Sequence, residues 1–134
     1  MANNKTDYLE SALINAVLRN VSFTSPSAVY LALFTTLPAD DGTGGVEVSG
    51  GSYARQAISF SAPSQVSNAA TCSNSAQIQF TTATANWGTI TGIGICDAST
   101  AGNILYYGSV AVAKTVASGD QVTFPAASVV VSES

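Results

Sequence analysis

Gly45, Gly50 and Ser52, in the stretch GVEVSGGS, stand at the spacing of a phosphate-binding loop, G-x-x-x-x-G-K-[ST]. Gly51 occupies the place of the lysine that would neutralise phosphate charge. Such a loop also needs a helix behind it, whose first amides and dipole converge on the anion. The residues that follow, YARQAISFS, alternate like a strand instead. The stretch therefore reads as a turn out of the acidic loop ADDGTGG into a strand bearing Tyr53 and Arg55. Asp40, Asp41 and Glu47 offer the oxygen ligands that calcium prefers. They lack the D-x-[DN]-x-[DN]-G spacing of a calcium loop, so no metal is expected there.

Acid–base and nucleophilic chemistry are equally poorly provided for. The chain has no histidine, the usual general base and metal ligand. It has no G-x-S-x-G nucleophile elbow. A carboxylate pair for glycoside cleavage would have to come from Asp40, Asp41, Glu47, Asp97 and Asp120, and no spacing singles out two of them. No enzyme and no cofactor are expected. Arg55 is the only basic residue between Arg19 and Lys114. In a charge-poor β domain it pairs with a carboxylate, for which Asp97 is the candidate, or it reaches a neighbouring subunit, where arginine and tyrosine are enriched.

Charge is scarce throughout, with four basic and eight acidic residues among 134 and a net of −4. Lys5, Arg19, Arg55 and Lys114 are scattered, so the clustered cations that nucleic-acid binding requires are missing. No charged residue stands between Arg55 and Asp97. That neutral, hydroxyl-rich stretch is either a polar exterior or a surface covered by partner subunits. Apolar runs such as VYLALF have strand length, short of the roughly 18 residues of a membrane span. MANNKTDYLESALINAV does not read as a secretion signal. Cys72 and Cys96 form no C-x-x-C motif and are expected as free thiols.

The elements that must position these residues are one helix and a series of strands. TDYLESALINAVLRN aligns Leu9, Leu13, Ala16 and Val17 along one stripe, with Asp7 and Glu10 as a capping pair and Pro26 as the stop. VYLALFTT is apolar on both faces, as a central strand would be. SYARQAISFS and SAQIQFT alternate. TITGIGICDAS carries Gly92 and Gly94 on one face, where a ring such as that of Trp87 can approach. Turn signals at DDGTGG, SGG, NWG, STAGN and SGD separate the runs. The pattern predicts a single domain over 1–134, mainly β. It consists of an N-terminal α-helix over 5–20 and an antiparallel β-sandwich, jelly-roll-like or Ig-like, over 27–132.

The runs DYLESALINAVL, VYLALFTTLPADDGTGGVEVSGGSYARQAISF, NWGTITGIGICDASTAGNILYYG and KTVASGDQVTFPA, in that order, carry a resemblance over about residues 6 to 132. They resemble a family of small bacteriophage structural proteins, usually tail-fibre-like, with capsid decoration or cement proteins among them. The resemblance implies a virion protein without enzymatic activity, assembled in the host bacterial cytoplasm and forming a homotrimer. It implies a shared framework at Tyr53, Arg55, Gln56, Trp87, Gly88, Ile95, Asp97, Tyr106 and Lys114. Cys96 and Tyr107 depart from its pattern, which more often has Phe and His there.

The expected function is capsid decoration, with the major capsid protein or other virion proteins as partners and no nucleic acid or membrane insertion. The alternative is a tail-fibre or baseplate appendage that adheres to a host-surface glycan through Trp87, Tyr106 and Tyr107. The expected interface residues are Leu9, Leu13 and Val17 on the helix and Asp40, Asp41 and Glu47 in the acidic loop. Tyr53, Arg55, Trp87 and Asp97 complete the set.

Overall fold

Every residue from Val29 to Phe34 is apolar, a pattern that suits a strand covered on both faces. In the computed structural model, which describes residues 4–133, this run is β2 (Val29–Thr36). It lies inside a six-stranded antiparallel sheet ordered β1 (Asn4–Lys5), β9 (Ile104–Val116), β8 (Gly88–Cys96), β2 and β3 (Val46–Glu47). β4 (Gln56–Ile58) shares the outer edge of β2 with β3. The second layer is split. β7 (Ile78–Gln79) pairs with β10 (Thr123–Phe124), and β5 (Ser64–Val66) and β11 (Val130–Glu133) flank β6 (Ala69–Ser73). The architecture is the mainly β, antiparallel sandwich with one helix that the sequence pattern predicts.

The core follows from the period of two. Leu31 and Leu33 of β2 stand opposite Ile95 and Ile93 of β8, and all four side chains are buried on the inner face. They meet Ile78, Phe80, Val122, Val129 and Val131 from the second layer. The ring of Phe80 lies between Tyr53, stacked at 6.1 Å, and Phe124, at 6.2 Å edge-on. The outer face of β8 needs its glycines. A Cβ at Gly94 would come within 2.8 Å of the Phe34 ring, and one at Gly92 would overlap the Leu37 side chain. Those two residues, not Trp87, close over the glycines. Trp87 is buried on the inner face, edge-on to Tyr53 at 5.4 Å.

The helix α1 (Asp7–Leu18) is shorter at both ends than the predicted 5–20. Lys5 is taken into β1, opposite Tyr106. Asp7 lies inside the first turn instead of capping it. Thr6 is the N-cap residue, but its hydroxyl donates to the Ile104 carbonyl at 2.6 Å, and the Asp40 carbonyl accepts from the Asp7 N–H at 2.8 Å. At the far end Asn20 turns left-handed at φ 56°, and the Val21 N–H returns to the Asn15 carbonyl. That turn ends the helix well before Pro26. Lys5 also pairs with Glu133, whose other carboxylate oxygen accepts the Tyr106 hydroxyl at 2.7 Å. The first and last strands, which belong to different sheets, are thereby tied together.

β9 is the irregular strand. Its pairing with β8 passes from Ile90 opposite Lys114 to Gly92 opposite Ser109, so Val110–Ala113 bulges away from β8. Asn74 is the principal buried polar anchor. Its amide donates to the carbonyls of Ala76 (2.8 Å) and Pro125 (2.9 Å), and its side-chain oxygen accepts from the Val129 N–H (2.8 Å). Asn74→Ala would leave buried backbone groups without partners, each costing about 1–3 kcal/mol. The expected outcome is a loss of about 3 kcal/mol or more in urea unfolding, with an unchanged midpoint as the contrary result.

Candidate functional site

Tyr53 and Arg55 precede β4 and do not stand in it; the backbone reaches them through three consecutive left-handed residues. Gly50, Gly51 and Ser52 have φ of 73°, 58° and 64°. At Gly51 a side chain is excluded as well, because a Cβ would lie 2.8 Å from the Trp87 indole nitrogen. That nitrogen donates to the Gly51 carbonyl at 2.9 Å. The glycines that resemble a phosphate loop thus serve a tight turn pinned by an indole, with a strand and no helix behind it.

The turn delivers Tyr53 to a gap in the sheet edge. Along β2, β4 pairs with Val29–Leu31 and β3 with Phe34 and Thr36. Between them the Leu33 N–H donates to the Tyr53 hydroxyl at 3.0 Å, while the Val48 N–H donates to the Leu33 carbonyl. A phenol here does the work of a strand. The same hydroxyl donates to Glu47 at 2.7 Å.

Arg55 grips Glu47 with two parallel bonds, Nε to Oε2 at 2.9 Å and Nη2 to Oε1 at 2.8 Å. Its Nη1 donates to the carbonyls of Ala98 and Ala101, both at 2.8 Å. The expected mate, Asp97, is not Arg55's partner. Its two oxygens accept the backbone and side-chain N–H groups of Asn103 at 2.7 and 3.0 Å, closing the loop between β8 and β9. Arg55 holds that loop by its carbonyls instead. Burial alone would push the Glu47 carboxyl up, but the bonds from Arg55 and Tyr53 and the guanidinium charge outweigh it and hold the group below its usual value. The bonds that Arg55 donates to Glu47 likewise raise it against the cost of its burial. Tyr53 is driven strongly upward, first by burial and then by its bond to Glu47.

Around this ion pair lies an open groove of about 390 Å³. The start of α1 (Thr6, Tyr8), the turn after β2 (Pro38, Asp41, Gly42, Gly45), the Glu47–Arg55 pair and the loop Ala101–Ile104 form its walls, over Phe34. Asp41 is exposed, and Thr43 holds one of its oxygens through backbone N–H (2.9 Å) and hydroxyl (2.6 Å). Those bonds hold its carboxyl below the usual range. Asp40 accepts the Tyr107 hydroxyl, a bond that pushes the phenol up to about 12. The acidic loop is an ordered turn, with the Ala39 N–H on the Thr43 carbonyl at 2.9 Å.

The other expected site residues divide sharply. Leu9 and Trp87 are buried in the fold, Leu13 is half-buried, and Val17 is exposed. Of the rings expected to stack on a sugar, Trp87 and Tyr107 are buried and Tyr106 is half-buried with its hydroxyl committed to Glu133. The exposed ring beside the groove is Tyr8, 41% accessible. Ile14 and Leu18 on the helix, and Val21 beyond its end, are also exposed. Cys72 and Cys96 are both free thiols, and burial lifts Cys96 to about 11.

An antiparallel sandwich whose half-buried Arg55–Glu47 pair pins loops, and whose helix leaves an apolar stripe uncovered, has the build of a structural assembly protein. The sequence agrees. A family model described as podophage GP4 fiber I protein gp80 matches residues 4–132, and the chain belongs to that family of phage structural proteins. The resemblance to tail-fibre-like phage proteins is thereby borne out. No curated protein matches the chain.

Glu47→Gln tests the ion pair. A depressed carboxyl contributes stability that is complete above its ordinary value of 4.5 and is lost as pH falls through the lowered one. Near neutral pH the variant should unfold about 2 kcal/mol more easily, a figure reduced for the pair's partial exposure. In urea titrations at a series of pH values, the gap from the parent protein should narrow as acid protonates Glu47. A gap that stays constant into acid would refute the assignment.

Proposed function

We propose that the protein is a non-enzymatic virion component held on the particle by the exposed face of α1, with the sandwich turned outward. One observation carries the reading. Ile14, Val17 and Leu18 follow the i, i+3, i+4 spacing of a helix face and are 56%, 76% and 76% accessible. Each such side chain contributes about 1.5–3 kcal/mol when fully buried. A contiguous apolar stripe of this kind marks a protein contact. Three copies about a common axis would bring three stripes together, as a homotrimer requires, or the stripe would seat on another virion protein.

The family description favours a fibre-type appendage. Capsid decoration is the second reading, supported by the charge-free stretch between Arg55 and Asp97, which suits packing against neighbours in a shell. Repetition on a symmetric particle makes modest contacts effective through avidity in either case.

Removing residues 1–20 would be a poor test, because Lys5, Thr6 and Leu9 are built into the sandwich. The triple variant Ile14→Ser, Val17→Ser, Leu18→Ser changes exposed positions only. It should keep the parent unfolding midpoint yet be missing from purified particles. Parent-level occupancy by the variant would overturn the proposal. Immunogold labelling of particles then separates the readings, with label at the tail for an appendage and over the head for decoration.

A further inference from the structure

The groove between α1 and the two loops sets free acceptors beside an exposed aromatic ring. Its guanidinium is largely spent: Arg55 gives four bonds to Glu47, Ala98 and Ala101. Its acceptors are not. Among the described residues one Asp41 oxygen receives no bond, and the Asn103 amide, which donates to Asp97, keeps its carbonyl oxygen. These acceptors suit a ligand that brings donors.

It must also lack negative charge. Among the described residues the groove has one cation, already paired; Asp41 is ionised, and Asp7, Glu10 and Asp40 all act on nearby Tyr107. The remaining walls, Tyr8, Pro38 and Ile104, are apolar, and the volume lies in the range of small-ligand sites.

Hydroxyl donors on one edge and an apolar C–H face on the other describe a sugar ring. We propose that this groove binds a pyranose residue of a surface glycan, one carrying no carboxylate, sulfate or phosphate. Tyr8 packs against the ring face, and Asp41 and Asn103 accept its hydroxyls. The inference rests on the appendage reading above. A single open groove of this size would bind in the millimolar range, and many copies on a particle would raise the effective strength.

The test uses the full chain, isotopically labelled, in an amide NMR titration with the methyl pyranosides of glucose, galactose, mannose and N-acetylglucosamine. Glucuronate and sialic acid form the anionic arm. Shifts should cluster at the amides of Asp41–Gly45 and Ala101–Ile104 for at least one uncharged sugar, and the anionic sugars should bind at least tenfold more weakly. Tyr8→Ala and Asp41→Asn should each weaken binding about tenfold with an otherwise unchanged spectrum, while Tyr8→Phe retains it. Silence across the panel, shifts located elsewhere, equal binding of anionic sugars or full binding by Tyr8→Ala would each overturn the proposal. Phage carrying Tyr8→Ala should hold the protein in normal amount and adsorb poorly to host cells. Normal adsorption would overturn the surface-glycan assignment, whereas loss of the protein from the particle would count against the attachment reading, with the titration still deciding the groove.

Discussion

One guanidinium joins three segments of the chain. Arg55 locks β3 through Glu47 and the β8–β9 loop through the carbonyls of Ala98 and Ala101. Through Glu47 it also steadies Tyr53, whose hydroxyl bridges the break between two edge strands on β2. A lysine could supply the charge but not this planar fork, which addresses a carboxylate and two carbonyls at once. This half-buried ion pair is placed where three segments meet. The groove wall is made of the same parts, so the shape of that surface depends on the pair as well.

The second constraint is steric. β2 is covered on both faces, and on the outer face this works only because β8 offers two positions without side chains. Phe34 lies across Gly94 and Leu37 across Gly92. The strand pairing at the centre of the large sheet and the small outer cluster of Ala32, Phe34 and Cys96 are therefore one design. Short strands elsewhere, several of only two or three residues, are tolerable around so fully packed a pair. Turns and side-chain anchors such as Asn74 take over where ladders are too short to align the second layer.

Much of the fold was legible because its signals are local. The two-sided apolarity of VYLALF, the alternation around Ile58 and Ile78, the glycine face of β8 and the turn residues all mark the positions at which the structure uses them. The partner of Arg55 was not legible. Asp97 and Glu47 are both carboxylates at strand ends, and only the closing of the Asp97–Asn103 loop, a matter of side-chain geometry across six residues, removes one of them. The helix stripe was half legible. Leu9 is the buried contact that periodicity indicates, but a helix with two apolar faces does not declare which one stays in water. The sugar-stacking rings misled for a similar reason: Trp87 and Tyr107 are large enough to serve either a core or a surface, and the sandwich needs them inside. Tyr8, in the first turn of the helix, carries no such signal, because most of the groove that it borders comes from segments remote in sequence.

The tie between Lys5 and Glu133 has a mechanical meaning. Residues at the two ends of the described chain are neighbours, one in the large sheet and one in the small one. Tension applied between them does not stretch the sandwich. It loads the Lys5–Glu133 contact and the two residue pairs of β1 with β9, while the long β8–β9 and β2–β8 ladders lie outside the line of force. Under such a load the Lys5–Glu133 contact is the link that gives first, and the long ladders are left whole.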